Sequence, residues 1–530
     1  MIALSQSKTK RLVALHGWSG VLLSILLYVV VLSGTVVVMA HEIGIWSAGN
    51  TSVAHPLEKP VDHIVRSAAK SVPPKYYDEI RIRETVNGEL SIFFHTHVKD
   101  TDGNFADKGI RFIVNPVTQE VISRREGFVR EVFGDEPKTA LERFLLNLHI
   151  RLHIPGMLGL LATGILGLWM MVAGISGLLA HRHVIRDMFV PERSGDRLAA
   201  VRDRHALAGS WSLIFAFLLA FTGSFFSFAG SIGIPVVGMV ATGGDQRALV
   251  ERIIGINKPD DPRPAALASL DYMVMDSTRR AGTAPDQILI THYGRRDASV
   301  RMLHPASEGS LMGQTLLFEG PSRTFEGVKP FLGTVPSVSN TAVGLMGPLH
   351  FGDFAGMLSK IVWVALGSAM TFVILTGTRL WIRRRAEEPA WQAYRRIMVA
   401  VMYGFPIAMV ACAYGFFLAL PSGETHYWTA FAFIGASVLC LIYGWRERDV
   451  SRSADRLCWI LAISLIALPL VRLLMGGTAW SEAMISGRTI IPSIDILLVM
   501  GGLMLLRWGR VASMFSITKP DSSRVLGPAE

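Results

Sequence analysis

Cysteine is nearly absent from the 530-residue sequence: there are three, Cys412, Cys440 and Cys458, all in or beside apolar runs in the last third. No CxxC, CxxCH or Cys/His zinc spacing exists, which excludes a disulfide framework, covalent c-type haem and cysteine-ligated iron–sulfur clusters. Charge is scarce too, at 18% of residues, where a soluble protein carries about a quarter. No G-x-G-x-x-G follows a strand and there is no P-loop. A built-in flavin or nicotinamide module is therefore absent, and transport by direct ATP hydrolysis is not expected. The polar stretches hold no catalytic triad, nucleophile elbow or paired-carboxylate motif.

What the sequence has is apolar residue, 50% of the total with a mean hydropathy of +0.38. It is gathered into eight segments, roughly 12–40, 156–180, 207–229, 354–381, 397–420, 427–445, 457–474 and 490–508. Each is long enough, or nearly so, to cross a hydrocarbon layer of about 30 Å. The expected fold is therefore a mainly α membrane protein with about eight transmembrane helices. Segment one is too long for the apolar part of a signal peptide and reads as an anchor.

Arginine placement gives the orientation. Lys8, Lys10 and Arg11 flank segment one, and Arg182, Arg186, Arg193, Arg197, Arg202 and Arg204 fill the connection between segments two and three. Arg379, Arg383, Arg384 and Arg385 follow segment four, and Arg446, Arg448, Arg452 and Arg456 follow segment six, while Pro421–Tyr427 has neither lysine nor arginine. By the positive-inside bias, both termini and the arginine-rich loops are expected on the cytoplasmic side. The net charge of +10 is then a topological signal, and no nucleic-acid partner is implied.

Two polar stretches, about 42–148 and 230–345, fall on the outer side. The first predicts a helix at Val61–Ala69 and strands at Ile80–Arg83, Leu90–His97, Ile110–Val114 and Glu120–Ser123. The second predicts a helix at Leu267–Ser277 and strands at Gln287–His292, Ser299–Leu303 and Gln314–Phe318. Both read as small α+β units. The expected division is a first transmembrane helix in 1–41, a periplasmic domain in 42–148, a second helix in 149–181 and a cytoplasmic loop in 182–204. A third helix in 205–229, a second periplasmic domain in 230–345 and a fourth helix in 346–385 follow. Four additional helices in 386–512 and a cytoplasmic tail in 513–530 complete it.

The first 385 residues are an internal duplication. His16-x-x-x-Gly20 and His205-x-x-x-Gly209 open segments one and three, and Ser33-Gly34 and Thr222-Gly223 put a glycine eighteen residues after each histidine. Segments two and four carry Leu148-His149, Gly156-Met157-Leu158 and Ser176-Gly177 against Leu349-His350, Gly356-Met357-Leu358 and Thr376-Gly377. On the topology above, His16 and His205 share the cytoplasmic leaflet, while His149 and His350 share the outer one. An imidazole is costly in a bilayer and is by default a functional residue. Two neutral imidazoles facing each other suit a bis-histidine b-type haem, and Gly20, Gly156, Gly209 and Gly356 would let a flat macrocycle lie against backbone. His153, one turn from His149, is a rival for the same role. The bland alternative is interfacial hydrogen bonding, favoured for His41, His181 and His183 at segment ends. His95 and His97 share one strand face and read as solvated surface histidines with at most weak metal binding. Most tryptophans read as interfacial lipid anchors, and Tyr403, Tyr414 and Tyr443 as core packing.

These residues resemble the PepSY-associated transmembrane helix family over about residues 10–390. The resemblance rests on the HxxxG and Leu-His openings, the Ser/Thr-Gly pairs and the phrase Phe112-Ile113-Val114-Asn115-Pro116-Val117-Thr118, in which Gln119 replaces the usual turn glycine. It implies two PepSY-like periplasmic domains and, by similarity to the family's di-haem ferric-siderophore reductases, two b haems as cofactors. His16 and His205 would hold the inner haem, and His149 and His350 the outer one. The implied partners are a ferric siderophore substrate, membrane lipid, and membrane quinol or a cytoplasmic flavoprotein as electron donor. Two other functions compete: a haem-free transporter or permease for iron or siderophore, and a periplasmic binding or regulatory module. Segments five to eight go beyond the family's minimal four-helix pattern.

Overall fold

A computed structural model describes residues 5–48, 56–99, 105–134, 136–180, 197–245, 248–249, 253, 259–385 and 387–508. His181, His183, most of the 182–204 loop and the 513–530 tail lie outside the described residues. The first apolar run is not one straight span. It breaks at Leu23, where α1 (Gln6–Leu22) meets α2 (Ser24–Val37) at 67°. Next come α3 (Ala40–Ala48), α4 (Asp62–Ala69), β1 (Glu79–Glu84), β2 (Leu90–Lys99), β3 (Phe105–Val114), β4 (Val121–Phe128) and α5 (Val129–Phe133). α6 (Ala140–Arg151) and α7 (Gly156–Ala180) close the first half.

The second half repeats the plan with α8 (Arg197–Phe228), α9 (Ile234–Thr242), α10 (Leu270–Ala281), β5 (Gln287–Thr291), β6 (Ser299–His304), β7 (Gln314–Glu319) and β8 (Phe325–Lys329). It ends on α11 (Val338–Phe351) and α12 (Gly356–Arg383). Beyond the repeat are α13 (Pro389–Ala419), α14 (Thr425–Arg446), α15 (Val450–Leu474), α16 (Trp480–Ile485) and α17 (Ile490–Trp508). Among the described residues, seven helical stretches are long and apolar enough to cross a membrane, and the bent α1–α2 pair makes an eighth. The chain is a multi-pass membrane protein, mainly α, with a small antiparallel sheet.

The third span outruns its expected end at residue 229. A π-turn at Ala229–Gly233 leads directly into α9, so helix continues to Thr242. Pro235 does not stop it, because the π-turn immediately before it already breaks the regular hydrogen-bond ladder that the proline would interrupt.

Each polar stretch contributes four strands and one helix that packs on them, α4 or α10, and the two sets join edge to edge. A single eight-stranded sheet results, in the order β4-β3-β2-β1-β5-β6-β7-β8, with every pair antiparallel. The seam is β1 against β5, with Ile80 opposite Ile290 and Ile82 opposite Ile288. One face of the sheet buries these isoleucines with Ile92, Phe94, Phe112, Val300, Met302 and Phe318 beneath α4 and α10. The other face is polar around the seam. There Arg111 donates to Ser91 and to the Val132 carbonyl and pairs with Glu136, whose own carbonyl accepts from His426 at the start of α14. That face therefore looks towards the ends of the membrane helices. At the β3–β4 turn the Asn115 carboxamide accepts from Val117 and Thr118, and Gln119 takes φ 61°, a left-handed conformation that favours the glycine it replaces.

The four extra spans pack on the first half. Tyr28 donates to the Met402 carbonyl at 2.6 Å, and Tyr394 of α13 donates to the Val21 carbonyl at 2.9 Å, beside the break in span one. Where α15 ends and α17 begins, Asp495 accepts from Arg472 at 2.6 Å, from Trp480 at 2.8 Å and from Trp46 of α3 at 2.8 Å. Both oxygens of this buried carboxylate are thus taken, which is what a charge buried in protein requires. Tyr414 donates to the Ser464 carbonyl and packs against one apolar cluster of these helices, while Tyr403 is buried in another, so both pack rather than line a cleft.

Candidate functional site: two histidine pairs

The two halves bring their repeated histidines together. The rings of His16 on α1 and His205 on α8 have centres 6.2 Å apart, and those of His149 on α6 and His350 on α11 are also 6.2 Å apart, inclined by 24°. All four rings are half-buried. Each pair crosses between the halves, and the two pairs lie at opposite ends of the spans. Along α8, His205 and Gly223, which touches the other pair, are separated by about 27 Å at about 1.5 Å per residue.

His149 and His350 are not at the start of long spans. They lie in the last turns of α6 and α11, and the chain then breaks before α7 and α12. Leu152 and Gly352 make the two breaks, both left-handed, at φ 53° and 69°. This ends α6 before His153 and takes His153 off the helical face it was expected to share with His149. His153 adopts φ 55° and packs against Phe144 at 4.2 Å, in neither pair.

Each Ser/Thr-Gly of the repeat is the seat of a histidine from the neighbouring helix. His16 lies against Gly177, His149 against Gly34, His205 against Gly377 and His350 against Gly223. A β-carbon at any of these glycines would come within 2.7 to 3.0 Å of an imidazole Cε1. The Nδ1 atoms are committed as well. That of His16 donates to the Ala173 carbonyl at 2.9 Å, that of His149 to Val30 at 3.0 Å and that of His205 to Val373 at 3.1 Å. Each acceptor is three residues before the serine or threonine, whose hydroxyl donates to the same carbonyl. His350 departs from this: its Nδ1 donates to the Thr222 hydroxyl at 2.9 Å.

A proton assigned to Nδ1 in this way leaves the Nε2 lone pair free, the tautomer a metal-binding imidazole needs. The ring separation fits as well. Two Nε2–metal bonds of about 2 Å, with each ring centre about 1 Å behind its nitrogen, put the centres about 6 Å apart. Space is available on the helix beside the pairs, since a β-carbon at Gly20, Gly156 or Gly356 would meet nothing within 4 Å, and at Gly209 only Val373 at 3.8 Å. The residues present therefore fit two bis-histidine-ligated macrocycles. Trp18, Trp381 and Trp391 cluster near the His16 end with Arg385 stacked 3.6 Å from the Trp381 ring, as expected of an interfacial belt.

Comparison with known proteins bears on the same region. A family model described as PepSY-associated TM region matches residues 13–384. An uncharacterized protein of Pseudomonas aeruginosa is 26% identical over 283 residues, which cover 51% of this chain and 70% of that relative. The matched family region holds all four paired histidines and stops before α13.

Proposed function

The chain belongs to the PepSY-associated TM family, and on that premise we propose that it is an inner-membrane electron-transfer protein carrying two b haems, a reductase of ferric siderophores. His16 and His205 would hold one haem, and His149 and His350 the other. Bound there, haem b supplies one-electron transfer, from quinol or a cytoplasmic flavoprotein on one side to a ferric chelate on the other. The observation that carries this reading is the meeting of four repeat-equivalent histidines as two cross-half pairs, each at the spacing of a shared metal. Arginine placement supports a cytoplasmic position for both termini and for the His16–His205 end, which leaves the sheet and the His149–His350 end in the periplasm.

The protein's own part is to hold and insulate. Carbonyls of Ala173, Val30 and Val373 and the Thr222 hydroxyl orient the imidazoles and keep each Nε2 unprotonated. Gly34, Gly177, Gly223 and Gly377 let the rings sit close to helix backbone. Ferric iron in a hard oxygen chelate takes up one electron, and as ferrous iron it is held less tightly by those donors, so the chelator leaves intact. No nucleophile or general base is needed for that step.

Purified protein should show b-type Soret and α bands in a reduced-minus-oxidised spectrum. His16→Ala and His205→Ala should remove one spectral component, His149→Ala and His350→Ala the other, and His153→Ala neither. After anaerobic reduction, ferric siderophores should reoxidise the wild-type protein faster than a variant lacking the His149–His350 component, with ferrous iron trapped alongside. Colourless protein, or two full haems in every single variant, would sink the assignment.

A further inference from the structure

We propose that Glu79, His95, His97 and Asp107, on the polar face of the sheet, form a binding site for one divalent first-row transition-metal cation. The site goes beyond the haem reading and does not rest on it. β1, β2 and β3 place these residues together by register, with Glu79 opposite His95 and His97 opposite Asp107. One ligand atom from each of Glu79, His95 and His97 lies within 4.8 Å of the others.

His95 is the decisive residue. Its side chain is fully buried and its Nε2 has no hydrogen-bond partner, although it points into the cluster. Nδ1 is occupied by the Phe93 carbonyl at 3.3 Å, and the ring stacks on Phe93 at 4.5 Å, so the imidazole is held with Nε2 inward. Gly109 faces His95 across the β2–β3 ladder, where a β-carbon would collide with the Phe94 carbonyl and lie 2.8 Å from the His95 Cβ. Leaving a buried ring nitrogen unpaired costs about 1–3 kcal/mol, so its persistence calls for a ligand.

The distances around Nε2 suit a metal better than a hydrogen bond. Glu79 Oε1 is at 3.5 Å and Asp107 Oδ2 at 3.7 Å, both too long for a charge-assisted bond. Ligands on bonds of about 2 Å around a tetrahedral cation stand about 3.4 Å from one another. His97 is half-exposed, and its Nδ1 donates to Asp107 Oδ1 at 2.7 Å, so a rotation brings either ring nitrogen to the cluster. Two imidazoles with carboxylates are the donor set of zinc and ferrous iron rather than of calcium.

Two arginines border the cluster. Arg301 holds Glu79 Oε2 at 3.3 Å and orients that carboxylate from behind. Arg81 reaches Glu79 Oε1 at 3.2 Å and Asp107 Oδ2 at 3.7 Å, so its guanidinium occupies the place between the two carboxylates that a cation would take. Metal binding must turn Arg81 out towards solvent, and that competition weakens it.

The test is equilibrium dialysis of the detergent-purified full chain against Zn2+, counted separately from iron. Wild type should retain one Zn2+ more per chain than His97→Ala or Asp107→Asn, with unchanged haem content. Zn2+ should raise the unfolding midpoint of wild type and not of those variants. Arg81→Gln should bind Zn2+ about tenfold more tightly, which a plain ion-pair cluster would not do. His95→Gln tests the central ligand, but its ring is buried, so the half-exposed His97 carries the result if that variant fails to fold. Equal Zn2+ retention by wild type and His97→Ala, or an unchanged affinity in Arg81→Gln, would overturn the site.

Discussion

Asp62 and Asp271 cap each other's helices across the two halves of the sheet domain. The Asp271 carboxylate accepts from the Val61 and Asp62 amides, at 2.7 and 3.1 Å, at the start of α4. The Asp62 carboxylate accepts from the Leu270 amide at 3.1 Å at the start of α10 and also holds Arg66 at 2.8 Å. Each half thus supplies the anion that the other half's helix terminus requires.

Crossed effects are expected from that exchange. Asp271→Ala should loosen α4, two hundred residues away in sequence, and Asp62→Ala should loosen α10, each by about 1–2 kcal/mol as for a lost N-cap. Hydrogen exchange by mass spectrometry reads this directly. If Asp271→Ala raises exchange only in α10, the halves are energetically separate and the exchange of caps contributes nothing.

The duplication made most of this legible. Strands β1 to β3, the two packing helices and the cross-half pairing of histidines all follow from local pattern and repeat spacing. The seam between β1 and β5 does not, because Glu79 and Thr291 are far apart in sequence and no local signal marks a non-local strand pair. The break at Leu23 was hidden in an unbroken apolar run, since its support, Tyr394, comes from a span outside the repeat. β8 and the continuation of α8 into α9 carried no assignment from the sequence. His95 was read as solvated because strand alternation gives its face, and only the fold shows that this face is covered. The role of the Ser/Thr-Gly pairs was missed, although a signal existed: eighteen residues are five turns of helix, so His205 and Gly223 had to share a face.

Acid should weaken the sheet domain through His304. Its ring is buried, Nδ1 donates to the Thr283 carbonyl at 2.7 Å, and Nε2 is buried without a partner. Burial holds its pKa below the ordinary 6.5 despite the backbone hydrogen bonds. The unfolded chain therefore takes up the proton more readily than the folded one. The stability that neutral His304 allows is complete above that ordinary value and declines as pH falls below it. Between pH 7.5 and 5.5 the unfolding midpoint of wild type should fall by a few degrees more than that of His304→Leu. Parallel pH profiles for the two proteins would refute this.

The glycines at the histidine pairs give the sharpest test of what the pairs hold. Gly34→Ala would place a β-carbon 2.7 Å from Cε1 of His149, and Gly377→Ala one 2.9 Å from Cε1 of His205. Neither substitution removes a histidine, and alanine favours helix over glycine by about 1 kcal/mol, so fold stability should change little. The imidazole must nevertheless move off its carbonyl acceptor, which releases Nδ1 and turns Nε2 away from its partner ring. Gly34→Ala should therefore cost the spectral component assigned to His149 and His350, and Gly377→Ala the other. Gly20→Ala separates a bound macrocycle from mere packing. A β-carbon there meets no protein atom within 4 Å, so a role confined to helix packing predicts no effect at all. If a flat ring occupies that space beside His16, haem content should fall from two towards one per chain while the unfolding midpoint of the haem-free protein stays where it is. Full haem content in Gly20→Ala would mean that the open face of α1 is not where the ring lies, and the cradle would have to be sought on the far side of the pair.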